Sequence, residues 1–145
     1  MSYVATIARI LLGGILVASG AAKVGQAPAL AASIASFHLL SSAVIAPMAV
    51  ILPYFEILLG GYVVLGLFTR IATFIATLQF VLYGSVIASA ILRHLPADCG
   101  CFGPNDHAVA DWPHVAFDFA LAALALFLAL GKLSPYSLDQ RFHLE

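Results

Sequence analysis

Four stretches of this 145-residue chain are apolar over the thickness of a lipid bilayer, and no other feature of the sequence constrains the fold as strongly. A helix needs about 20 apolar residues, at roughly 1.5 Å each, to cross the hydrocarbon core. "YVATIARILLGGILVASGAA" (3–22), "VIAPMAVILPYFEILLGGYVVLGLF" (44–68) and "IATFIATLQFVLYGSVIASAI" (71–91) all reach that length. The fourth, "HVAFDFALAALALFLAL", extends to 112–131 when Trp112 anchors it at the interface. Composition leaves no soluble alternative: 63% hydrophobic and 9% charged residues, with a mean hydropathy of +1.05, cannot clothe a water-exposed surface. The expected fold is all-α, an integral membrane four-helix bundle forming one domain over 1–145, in contact with membrane lipid.

Several local features refine this. Arg9, the apolar run after it and "SGAA" imitate a signal peptide, and we read the segment as the first helix of the bundle. Pro47 and Pro53 are expected to kink the second span. Gly14, Ala18 and Ala22 fall at i, i+4, i+8 and offer a face that a neighbouring helix can approach closely. Residues 23–43 are too polar and broken to span, and "ALAASIASFHLL" within them reads as a short interfacial or re-entrant helix. The six basic residues form no cluster and the net charge is −1, so nucleic acid is not an expected partner. With the N-terminus cytoplasmic, Arg9, Arg70, Lys132 and Arg141 lie inside against Lys23 and Arg93 outside. That places both termini in the cytoplasm and the loop between the third and fourth spans outside it, where disulfides persist.

The loop carries the only two cysteines of the chain, Cys99 and Cys101, in "DCGCFG". Cα atoms two residues apart in an extended chain lie about 7 Å from each other, so the backbone must turn before the sulfurs can meet. Gly100 permits that turn, and Gly103 and Pro104 add turn chemistry after it. So small a ring is strained and easily reduced, which suits exchange better than stapling. Asp98 disfavours a thiolate at Cys99, whereas Arg93 and His94 favour one if the loop folds back, and the sequence leaves both outcomes open. The same residues admit a metal reading, with His94, Cys99, Cys101 and His107 as four ligands or the two thiolates holding a soft ion such as Cu(I), although the spacing matches no standard zinc pattern. A third reading makes the cysteines inert and the protein a non-catalytic assembly subunit.

The chain resembles the MauE/DoxX family of small four-helix membrane proteins over nearly its whole length. "RILLGGILVASGAAKV" resembles that family's arginine, glycine pair and closing lysine, and "LPYFEILLGGYVVLGLFTR" its proline, glutamate, glycine and arginine. "DCGCFG" resembles the mark of the MauE branch, and "WPHVAFDFAL" the tryptophan and aspartate opening the last helix, with Phe117 where the family often has arginine. The resemblance implies a redox accessory protein of the bacterial inner membrane. MauE is associated with maturation of the disulfide-rich small subunit of methylamine dehydrogenase, alongside a thioredoxin-like partner, and is similar in outline to the vitamin K epoxide reductase group. By that resemblance Cys99 and Cys101 exchange electrons between a thioredoxin-like or disulfide-rich extracytoplasmic protein and a quinone, ubiquinone or menaquinone.

Two carboxyls inside spans add to the expectation. Glu56 falls near mid-bilayer, where it must be protonated or matched, with Lys23 one possible partner. Asp118 enters the fourth span just below the cysteine loop. Quinone reduction takes up protons as well as electrons, and both carboxyls are expected to carry them. A pocket between them, lined in part by Tyr54, Phe80, Tyr83 and Trp112, is the expected quinone site.

Overall fold

The computed structural model describes residues 2–96, 110–131 and 138–139. Helix α1 runs Ser2–Lys23, α2 Ala27–Ser36, α3 Ser42–Leu65, α4 Thr69–Leu92 and α5 Trp112–Leu130. Four of them, all but α2, are long and apolar enough to cross a membrane. The short helix expected within residues 23–43 is α2, entered through a turn at Gly25 (φ 78°) and opened by Pro28 in its first turn. The second span ends at Leu65 instead of residue 68, because Gly66 in the left-handed region (φ 68°) caps it. Pro47 and Pro53 both lie within α3, which continues through them.

The helices associate as two tight pairs, α1 with α3 and α4 with α5, joined by looser contacts of α3 with α4 and α1 with α5, while α2 packs on α3. Glycine permits the first pair. A Cβ on Gly13 would meet Gly60 O at 2.7 Å, one on Gly60 would meet Gly13 O at 2.7 Å, and one on Gly20 would meet Pro53 O at 2.6 Å. Backbones this close exclude any side chain, and dispersion across the seam replaces the hydrophobic drive that lipid removes. The stripe at Gly14, Ala18 and Ala22 is not this seam. Gly14 and Ala18 are exposed, and nothing lies within 4 Å of a Cβ added to Gly14. Between α4 and α5, Gly84 brings the backbone of α4 against Phe119 and the Cβ of Asp118.

Pairing of Gly13 with Gly60 and of Gly20 with Pro53 fixes an antiparallel register. Three residues beyond Gly20 and three before Pro53 bring the end of α1 opposite roughly residue 50, so the first turns of α3 run on past it. The chain fills that vacated space with α2. Phe37, at the end of α2, is buried with Ile87, Ala90 and Val115, and its carbonyl accepts a 2.5 Å hydrogen bond from Arg93 Nη2 beyond α4. At the opposite end Phe68 is left-handed (φ 48°), a conformation that costs a non-glycine residue about 1–3 kcal/mol. The buried Asp139 carboxylate holds it there, accepting from Phe68 N at 2.6 Å and Thr69 N at 2.7 Å and so capping α4.

The seam yields a differential prediction. Gly60→Ala, which drives a methyl group into backbone, should destabilise the protein by about 1–3 kcal/mol. Gly14→Ala, facing open space, should change stability by less than about 0.5 kcal/mol. Unfolding titrations of both variants in mixed micelles measure the difference.

Candidate functional site

In the middle of the bundle, where apolar side chains would be expected, five polar side chains from three helices converge. Glu56 of α3 is 0% exposed and Lys23 of α1 is 2% exposed. Lys23 Nζ lies 2.8 Å from Glu56 Oε2 and 3.0 Å from Oε1, and also donates to Ser19 Oγ at 2.8 Å. Ser19 Oγ donates to Glu56 Oε2 at 3.2 Å, and Gln79 Nε2 to Oε1 at 3.1 Å. Tyr83 completes the set, its hydroxyl donating to Glu56 Oε1 while accepting from Gln79 Nε2 at 3.2 Å. Lys23 Nζ also sits 5.6 Å from the centre of the Tyr83 ring, on the range of a cation–π contact.

Helical spacing builds this cluster. Ser19 and Lys23 are one turn apart on α1, as are Gln79 and Tyr83 on α4, so each pair presents two donors on one face. The close approach of Gly20 to Pro53 brings the α1 pair against Glu56. An ion pair removed from water loses several kcal/mol of solvation per charge, and only good geometry with saturated lone pairs offsets the loss. Glu56 has both: every donor around it points at one of its two oxygens.

Asp118 is another buried carboxyl, 5% exposed, and it belongs to a ladder along α5. Asp111 caps that helix, accepting from His114 N at 3.0 Å, and its Oδ1 lies 2.5 Å from His114 Nδ1. His114 is one turn above Asp118 on the same face. The hydrogen bond from the His114 ring, and then that from its backbone amide, hold the exposed Asp111 carboxyl below its ordinary range. The cap's contribution is therefore present above the ordinary carboxylate pKa and is lost as pH falls through the lowered value.

Two cavities flank the Glu56 cluster. The larger, about 280 Å³, lies between α2, α3 and α4; its walls include Leu30, Ile34, Phe37, Leu52 and Val86, and Lys23 and Tyr83 are its polar members besides Ser33. The smaller, about 20 Å³, is bounded by Ser19, Glu56, Tyr83, His114 and Asp118 with a few apolar neighbours that include Phe80. Tyr83 lines both.

The structure thus brings together Glu56, Phe80, Tyr83 and Asp118 of the residues expected to matter. Tyr54 and Trp112 stand apart, 54% and 56% exposed, and line neither cavity. Two residues along a helix turn it by about 200°, so with Glu56 facing inward Tyr54 faces outward. The space between Glu56 and Asp118 does exist, but its volume is that of a water molecule; the ring-sized volume is on the other side of Glu56. Lys23, counted above as an extracytoplasmic charge, is buried in the cluster, and Arg9 is buried as well. Ser19, Gln79 and His114 were not singled out in the sequence, although a polar pair at i, i+4 inside an apolar span was the signal available for the first two. Cys99, Cys101 and His107 lie outside the described residues. Among the described residues no group of three or more His, Cys, Asp or Glu is arranged to hold a metal ion.

The cluster makes its own prediction. Lys23→Met strands a buried carboxylate and should destabilise the protein by about 3 kcal/mol or more, whereas Lys23→Met with Glu56→Gln should recover most of that loss. A double-mutant cycle of unfolding free energies measures both.

Comparison with known proteins comes down to one finding. The model of the family described as methylamine utilisation protein MauE matches residues 1–131. No match is found among curated proteins or among solved structures. The matched range begins before α1 and ends just after α5, so it takes in all four long helices, the cysteine segment and the whole Glu56 cluster. This chain is an integral membrane protein of the MauE family.

Proposed function

We propose that the protein is a thiol–disulfide oxidoreductase of methylamine utilisation, passing electrons between a thioredoxin-like or disulfide-rich extracytoplasmic client and a membrane quinone through Cys99 and Cys101. The observation that carries this reading is the cavity of about 280 Å³ between α2, α3 and α4, apolar except where Lys23, Tyr83 and Ser33 meet it. A planar, largely apolar ring with two carbonyls fits that chemistry. Its volume approaches the range of small-molecule sites, and a few convergent polar groups at one part of an apolar wall are what orient such a ligand. A carbonyl oxygen would sit beside Lys23 and Tyr83, bonded when one of them turns a donor from Glu56 toward it, and the apolar walls would hold the ring and the start of its tail. When bound, the quinone supplies a two-electron, two-proton acceptor, or as quinol the corresponding donor.

The chain's own groups divide the remaining work. A client thiolate attacks one sulfur of the Cys99–Cys101 disulfide and the second client thiol displaces the mixed disulfide, leaving the client oxidised and both cysteines reduced. Reoxidation of that pair releases two electrons and two protons, which the acceptor takes up. Cys99 follows Pro96 by three residues in the sequence. Pro96 follows Arg93, whose guanidinium is bonded to Phe37 in the cavity wall. Lys23 and Tyr83 line the cavity, and Glu56, which accepts from both, holds the two side chains in place. Lys23 also brings positive charge to a place where reduction of a carbonyl creates negative charge.

The same proposal has both termini in the cytoplasm and the cysteine segment on the extracytoplasmic side of the bacterial inner membrane. With Arg9 and Lys23 buried, the basic residues that remain at span ends are Arg70, Lys132 and Arg141 on one side and Arg93 on the other, three against one.

Two experiments test the proposal. Purified, reduced protein mixed with a short-tailed quinone should convert it stoichiometrically to quinol as free thiols disappear. Cys99→Ser and Cys101→Ser should abolish the conversion, and Ile34→Trp, which fills the cavity, should raise the KM for quinone roughly tenfold while a chemical oxidant still forms the disulfide. Absence of conversion with several quinones, together with tight copper or zinc binding, would replace this reading by the metal one. In intact reduced cells, a membrane-impermeant thiol reagent should label the cysteine pair; labelling only after lysis would invert the topology.

A further inference from the structure

The smaller cavity is not needed to bind a quinone, yet it is walled by two buried carboxyls, Glu56 and Asp118. Its volume, about 20 Å³, is enough for one water, which requires at least two polar partners to reside in a protein interior. Ser19, Glu56, Tyr83, His114 and Asp118 all border it. Asp118 is 95% removed from the surface, and its Oδ2 has no hydrogen-bond partner among the described residues. A buried carboxyl oxygen left without a partner carries a desolvation penalty that a water in the adjoining cavity would relieve.

We propose that this cavity is a binding site for a single ordered water joining Asp118 to the Glu56 cluster, and that Asp111, His114 and Asp118 form a proton path from the α5 end of the bundle to that cluster. The positions suit a relay. Asp111 is exposed where α5 begins, His114 Nδ1 lies 2.5 Å from it, and Asp118 is one turn deeper on the same helical face. The water spans the remaining gap to the Glu56 cluster, where the Ser19 and Tyr83 hydroxyls border the cavity and Tyr83, bonded to Glu56, reaches through to the larger one. The titratable groups facing this path are His114 from α5, Glu56 from α3, Tyr83 from α4 and Lys23 from α1. Its role in the reaction rests on the quinone reading. Oxidation of the cysteine pair, which precedes α5 in the sequence, releases two protons, and reduction of the acceptor consumes two beside Tyr83, so the path carries protons between the two events without drawing on the cytoplasm.

The test uses the buried ammonium as its own probe. The chain has two lysines, Lys23 and Lys132, so protein labelled with ¹⁵N at lysine Nζ and reconstituted in lipid nanodiscs gives two side-chain signals. Hydrogen exchange at Lys23 should slow at least about tenfold in Asp118→Asn, which keeps the shape but cannot relay a proton, and in Leu121→Phe, which fills the cavity. His114→Phe should act in the same direction, while Lys132 stays unchanged in every variant. A retained Lys23 chemical shift reports that the pair with Glu56, and so the fold around it, is intact; each of the three variants that retains it counts as a separate trial. Unchanged Lys23 exchange in those variants would overturn the proposal and assign proton access to the larger cavity. Quinone turnover followed in parallel separates the two claims: a wild-type protein that never reduces quinone, yet shows the exchange effect, refutes the quinone reading and leaves the water-linked path standing.

Discussion

An ammonium and a carboxylate facing each other inside a membrane bundle determine much of the remaining architecture. Neither Lys23 nor Glu56 can retain its charge in lipid unless the other is within bonding distance and the remaining lone pairs are occupied. Contact at 2.8 Å requires α1 and α3 to approach at backbone distance, which Gly13, Gly20 and Gly60 permit. Glu56 still needs donors from the opposite helix pair, and Gln79 and Tyr83 of α4 supply them. The polar cluster is therefore the principal bond across the looser seam between the two tight pairs. Space survives on either side of it, a ring-sized cavity toward α2 and a water-sized one toward α5.

The larger cavity depends on the register of α1. Because Gly20 must pair with Pro53, α1 ends partway along α3, and the chain turns at Gly25 and covers the remainder with α2. Ten residues of helix do not fill the volume that two more turns of a spanning helix and its side chains would have occupied. The lysine that ends α1 is thus placed at the boundary between the polar cluster and the cavity. In the proposed function this arrangement gives the quinone a charged contact deep in the membrane without exposing that charge to lipid.

Most of the architecture was legible because bilayer thickness writes itself into span length. All four spans and the short α2 follow from apolar runs and their breaks, and their ends shift only where a cap decides, as at Gly66. The helix faces were not legible in the same way. Lipid is as apolar as a packed interior, so α3 is hydrophobic all round, and its inward face, through Ala49, Pro53, Glu56, Gly60 and Val63, is marked by small and polar residues instead. For that reason Gly14, Ala18 and Ala22 looked as suitable for a seam as Gly13 and Gly20, and Tyr54 as suitable for a pocket as Tyr83. Glu56 and Asp118 stood out because a carboxyl in a span demands explanation. Ser19, Gln79 and His114 did not, since a single hydroxyl, amide or imidazole near apolar residues is common; only their spacing relative to Lys23, Tyr83 and Asp118 gives them meaning. The cysteine pair is in a different position, because its chemistry is local to the sequence and it lies outside the described residues.

The central claim is that the cavity between α2, α3 and α4 is where a quinone meets the Glu56 cluster. A short-tailed quinone bearing a photoreactive azide tests this most directly, with the cross-linked peptides of the membrane-reconstituted protein mapped by mass spectrometry. The account predicts label on the α2 and α4 segments that carry Ile34, Phe37 and Val86, competed away by excess unlabelled quinone. Label confined to α5, or label that excess quinone does not displace, would contradict it.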